Sequence, residues 1–131
     1  MLWKCPLRLD PRPKRMPEDA IAEQQRIIDA LLRKYPDLIV QGLEIRYDPL
    51  LDHHPFYQGV AASTLSTEQG TTVLIGSLGM GRSETELALT ILHETYHVLH
   101  PEDQGAGKEE RAEEFAHARW QVIQERHKGT V

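Results

Sequence analysis

The stretch LTILHETYHVLHPEDQGAGKEERAEEFAHARW, residues 89–120, decides how the chain reads. It holds four of the seven histidines, His93, His97, His100 and His117. The first third is apolar around the polar insert His93-Glu94-Thr95-Tyr96-His97. Pro101 stops that pattern, and a short run ending at Gly107 reads as a connection. Apolar positions then return at Ala112, Phe115, Ala116, Trp120 and Ile123, which is helical spacing. Ser83 suits a helix N-cap, with Glu86 three residues later as its capping-box partner. The pattern therefore predicts one helix from about Glu84 to His100 and a second from near Lys108 to about Arg126.

Leu87, Ile91, Leu92, Val98 and Leu99 make the first helix apolar on most sides, so it is expected to be largely buried. Two histidines and a glutamate are costly in such a helix unless they are paired or bound to a metal. On a helix, residues four apart share a face. His93 and His97 can then reach one ion, as zinc requires with nitrogen ligands at about 2.0–2.1 Å. Glu94 is one residue round from His93. It is poorly placed to bind the same ion but can reach a water beside it, the position of a general base. His93-Glu94-x-x-His97 is thus an H-E-x-x-H motif.

A catalytic zinc site has three protein ligands and one open position. The next helix offers Glu109, Glu110, Glu113, Glu114 and His117. If the connection returns the chain antiparallel, Glu109 and Glu110 fall near the level of His100 and Glu113 near that of His97. Glu113 also sits at the edge of the apolar face, while Glu110 and Glu114 point toward solvent. Glu113 is the expected third ligand, followed by Glu109 and then His117.

These residues resemble the gluzincin metallopeptidases. The segment EEFAHA, residues 113–118, is similar to the downstream helix of the catalytic domain of anthrax lethal factor, whose pattern is E-x-F-A-x-A. The resemblance implies zinc ligation by His93, His97 and Glu113, with Glu94 as general base. It covers about thirty residues closely. The immunity-type zinc peptidases of phages and mobile elements are similar as well, and that comparison favours Glu109. The gap from His97 to Glu113 is short for the first group. His117 stands where an acid often supports a histidine ligand.

Upstream, Ile21, Gln24, Ile28, Leu31, Leu32 and Tyr35 mark a helix that begins at Pro17 and is stopped by Pro36. Residues 38–47 read as a strand, clearest over Leu43, Ile45 and Tyr47. GVAASTLS and TTVLIGSL are two β-prone runs joined by the turn TEQG, residues 67–70. The expected fold is α+β: a minimal zincin-like domain over residues 17–131, with an N-terminal helix, a small antiparallel or mixed sheet, the H-E-x-x-H helix and a C-terminal ligand helix. Residues 1–16 read as an irregular arm. The resemblance implies that GVAAST is the outer strand and TTVLIG the inner one. The outer edge, Val60 to Ser63, would then be free to pair with an extended peptide.

With 131 residues the chain suits one core, and its net charge of −5 gives no general field for nucleic acid or an anionic membrane. One cysteine, Cys5, excludes an internal disulfide and a cysteine metal cluster. No signal peptide or membrane span is evident, so a cytoplasmic protein is expected. GSLGMGRS lacks the lysine of a phosphate loop and the spacing of a dinucleotide fingerprint. His53 and His54 in a Pro-flanked loop read as exposed. The expected activity is zinc-dependent endopeptidase cleavage of a protein or peptide, with one Zn²⁺ per chain. Tyr47, Tyr57, His100 and His117 are candidates to stabilise the oxyanion. The alternative is a zincin-fold binding or regulatory module with structural zinc or none.

Overall fold

The computed structural model describes residues 18–52 and 62–129. The arm at 1–16, Cys5, His53, His54, Tyr57 and Val60 lie outside the described residues. Helix α1 spans Glu18–Lys34, strand β1 Leu43–Tyr47, β2 Ala62–Thr67 and β3 Gly70–Ile75. Three further helices follow: α2 (Ser77–Met80), α3 (Glu84–Leu99) and α4 (Lys108–Gly129). The architecture is α+β.

Helix α1 opens with Glu18 and Asp19 and closes with Arg33 and Lys34, so both ends complement the helix dipole. Ile28 and Leu31 turn inward. Pro36 ends the helix, but the strand does not begin at Leu38 as expected. Residues Pro36–Leu38 form a 3-10 turn, closed by the Leu38 N–H donating to the Tyr35 carbonyl at 3.0 Å. Leu38 is fully buried within that turn, so its apolarity reflects core packing and not a strand. The strand starts at Leu43, where Leu43, Ile45 and Tyr47 face inward and Glu44 and Arg46 outward.

The sheet order is β1-β3-β2. β1 runs parallel to β3, with Ile45 opposite Val73, and β2 runs antiparallel to β3, with Thr64 opposite Val73. The sheet is therefore mixed. Val73 and Ile75 of the central strand are fully buried, while most of the outer strand β2 is exposed. The β2–β3 turn is held by Thr67, whose hydroxyl accepts from the Gln69 N–H and donates to the Gly70 carbonyl, both at 3.2 Å. At the other edge, the Gln25 side chain stands in for a neighbouring strand. Its amide donates to the Ile45 carbonyl at 3.3 Å and accepts from the Tyr47 N–H at 2.9 Å. Satisfying these groups blunts an open strand edge.

Helices α3 and α4 pack antiparallel and make the most extensive helix–helix contact. Ala112 and Ala116 are fully buried, and their small side chains let the axes approach. Trp120 and Ile123 continue the α4 face into the core, where Trp120 meets Tyr35 edge-to-face at 4.9 Å. Ile91 and Leu92 are buried on α3, each worth about 1.5–3 kcal/mol of apolar transfer. No helix among the described residues is long and apolar enough to cross a membrane.

The start of α3 is capped, with one difference from the sequence pattern. Ser83 Oγ accepts from the Glu86 N–H at 3.2 Å. The return bond goes one residue further upstream than a capping box requires: Glu86 Oε1 accepts from the Arg82 N–H at 3.2 Å. Gly81 makes room for it. Its backbone has φ 66° and ψ −164°, and a Cβ there would stand 2.5 Å from the Glu86 Cβ. The four-residue helix α2 precedes that glycine.

Candidate metal centre

His93 and His97 lie one turn apart on α3 and face α4. Their side chains are 15% and 22% exposed, so they line a cleft without being sealed in it. The two Nε2 atoms are 3.2 Å apart. Thr95, between them in sequence, points the other way: it is buried and returns its hydroxyl to the Ile91 carbonyl at 2.8 Å.

The carboxylate of Glu109 closes a triangle with the histidines. Oε2 is 2.9 Å from His93 Nε2 and Oε1 is 3.0 Å from His97 Nε2. The carboxylate of Glu113 lies elsewhere, with Oε1 2.6 Å from His93 Nδ1, on the far side of the ring. Glu113, expected at the level of His97, is level with His93, and Glu109 takes the level expected for Glu113. The helix register thus differs by about one turn from the sequence estimate.

A staple in the connection accounts for that offset. Arg111 grips Asp103 with two nitrogens, Nε to Oδ2 at 2.7 Å and Nη2 to Oδ1 at 2.5 Å, and gives Nη1 to the Ala106 carbonyl at 3.0 Å. The Tyr96 hydroxyl donates to the same Asp103. These bonds draw the first turn of α4 back beside Tyr96, deeper along α3 than a slack loop would place it. The Asp103 carboxyl is held well below the ordinary carboxylate range, first by the Arg111 guanidinium and then by the Tyr96 hydroxyl. Asp103 in turn raises the Tyr96 phenol, and it raises Arg111 further above its ordinary value. Sequence reasoning left this triad out. Its one sequence cue is the pairing of an acid and an arginine across a Gly-rich connection.

Glu94 is half-buried beside the histidines, and one carboxylate oxygen lies within 4.8 Å of the donor nitrogens of both. Its Oε1 accepts from the Thr64 hydroxyl of β2 at 3.1 Å. The outer strand thus reaches the cleft, and Thr64 is a second contact that the sequence did not single out.

The other candidates fall outside the triangle. His117 is 65% exposed and stands 3.8 Å from Glu113 Oε2. His100 stacks on Tyr96 at 4.5 Å between ring centres and sits 3.5 Å from Glu102. Tyr47 is buried, with its hydroxyl 2.9 Å from Ser77 Oγ. Glu110 and Glu114 are exposed, as expected. A cavity of about 720 Å³ lies between α1 and β1. It contains none of the imidazoles, so its size says nothing about chemistry at the histidines.

The donor set suits a zinc ion. A tetrahedral ion with ligand bonds of about 2.0–2.1 Å has donors about 3.3 Å apart. The two Nε2 atoms are 3.2 Å apart, and each meets a different Glu109 oxygen, Oε2 at 2.9 Å from His93 and Oε1 at 3.0 Å from His97, so the carboxylate spans both imidazoles. Two imidazole nitrogens and a carboxylate are ligand types that zinc accepts, and the cleft side stays open for a fourth. No family model, curated protein or solved structure gives a significant match to the chain.

Proposed function

We propose that the chain is a minimal zincin-like domain acting as a zinc-dependent peptidase, with His93, His97 and Glu109 as ligands and Glu94 as general base. The observation that carries this is the Glu109 carboxylate set against both imidazoles, Oε2 2.9 Å from His93 Nε2 and Oε1 3.0 Å from His97 Nε2, with the two Nε2 atoms 3.2 Å apart. When bound, the zinc supplies Lewis acidity: it polarises a carbonyl and lowers the pKa of a water.

The remaining work falls to the chain. Glu94 takes the proton of the attacking water and passes it to the departing amine, as a carboxylate within reach of both can. Thr64 holds one Glu94 oxygen at 3.1 Å and so fixes the carboxylate's direction. Glu113 accepts from His93 Nδ1, which sets the tautomer that leaves Nε2 free to bind metal. In this assignment Glu113 orients a ligand and is not one itself. The Tyr96–Asp103–Arg111 staple sets the register that brings Glu109 between the imidazoles.

The test is hydrolysis of a degenerate peptide mixture by zinc-loaded protein, read by mass spectrometry. Cleavage that stops on chelation and returns with zinc is expected. Stoichiometric zinc with no cleavage of any peptide would instead favour a binding module.

A further inference from the structure

A second cavity, about 320 Å³, opens beside His93. His93, Glu94 and Glu113 form its near end. Its walls are apolar: Leu89 from α3, Leu78 from α2 and Ala62 at the start of β2. Leu78 is 65% exposed, so core packing does not explain its position. Glu86 closes the far end. It lies seven residues before His93 on α3, about 10 Å along the axis. No lysine or arginine is among the described residues lining the cavity.

We infer that this cavity receives a lysine or arginine side chain of the substrate residue next to the scissile bond, its stem against Leu78 and Leu89 and its cation at Glu86. The inference rests on the peptidase reading and names its substrate class. A volume near 320 Å³ is at the lower end for ligand pockets, suited to one long side chain. The chemistry along it changes in the order such a side chain requires. Apolar walls match a methylene stem, and a carboxylate waits about two helical turns from the metal ligands. Of the natural side chains, lysine and arginine carry a cation furthest from the backbone toward Glu86. Glu86 has one oxygen on the Arg82 N–H and, as a carboxylate, retains acceptor capacity for a cation. An acidic side chain would meet Glu86, Glu94 and Glu113 together. An apolar one reaching the far end would strip water from Glu86 without pairing it.

The experiment uses the zinc-loaded full chain and a peptide library varied on both sides of the cleaved bond. Lysine or arginine is expected to dominate at one flanking position. Glu86→Gln keeps an oxygen for the Arg82 N–H, so the cap survives while the charge is lost. It should lower the lysine-over-leucine ratio at that position by about fivefold, the upper end for a solvent-exposed ion pair. Preference for apolar flanking residues, or a ratio that Glu86→Gln leaves unmoved, overturns the cavity assignment and leaves the peptidase reading standing. No cleavage of any peptide overturns the peptidase reading, and this inference with it.

Discussion

Removing Glu109 and removing Glu113 should weaken zinc binding by very different amounts. Both carboxylates contact His93, and their side chains are similarly exposed, at 58% and 55%. Burial therefore does not separate them, and neither truncation should unfold the helix. Position does. Glu109 faces both Nε2 atoms, so on the proposed ligand set Glu109→Ala removes one of three donors together with its charge. Glu113 meets His93 only at Nδ1, so Glu113→Ala removes an orienting partner. Loss of such a partner costs about 10–100-fold in metal affinity. The half-exposed position of Glu113 puts the expected loss near tenfold, about 1.4 kcal/mol. Glu109→Ala should exceed the hundredfold limit of that range. Competition against a chromophoric zinc chelator at fixed pH measures both, and circular dichroism of the metal-free proteins checks that each is folded. A larger loss for Glu113→Ala than for Glu109→Ala would refute the assignment of their roles.

Two further expectations concern the frame around the site. Gly81→Ala forces a side chain into a backbone region open almost only to glycine and into contact with Glu86, so chemical denaturation should show a loss of at least about 1–3 kcal/mol. Asp103→Asn should destabilise the protein in a pH-dependent way. The folded-state pKa of Asp103 is depressed, so its contribution is present above its unfolded value, about 3.9, and is lost as pH falls through the lower folded value. The gap in thermal midpoint between wild type and Asp103→Asn should hold from pH 7 to about 5 and shrink below about 4; a gap that widens with acid would contradict the Arg111–Asp103 assignment.

The parts legible in the sequence were those set by local chemistry. Ser83 and Glu86 announced the start of α3, Pro36 the end of α1, and the alternation of Leu43, Ile45 and Tyr47 the first strand. Placing His93 and His97 on one face needed only the helical repeat. What failed depended on distant contacts. Leu38 looked like strand because burial and β-structure both select apolar residues, and only the fold tells them apart. The register of α4 on α3 turned on the bonds from Arg111 and Tyr96 to Asp103, across a connection whose length alone suggested a looser return. That one-turn offset is what exchanges the positions of Glu109 and Glu113. Thr64 could not be tied to Glu94 before the sheet order brought β2 beside α3.

The most direct test is zinc content and peptide hydrolysis measured side by side on wild type and Glu94→Gln. In the proposed assignment Glu94, within 4.8 Å of both imidazole donors, is the base and not a ligand, and glutamine keeps its shape and its acceptor for Thr64. One zinc per chain is expected in both proteins, with hydrolysis in wild type alone. Wild type without zinc, or hydrolysis that persists in Glu94→Gln, would contradict the proposed site.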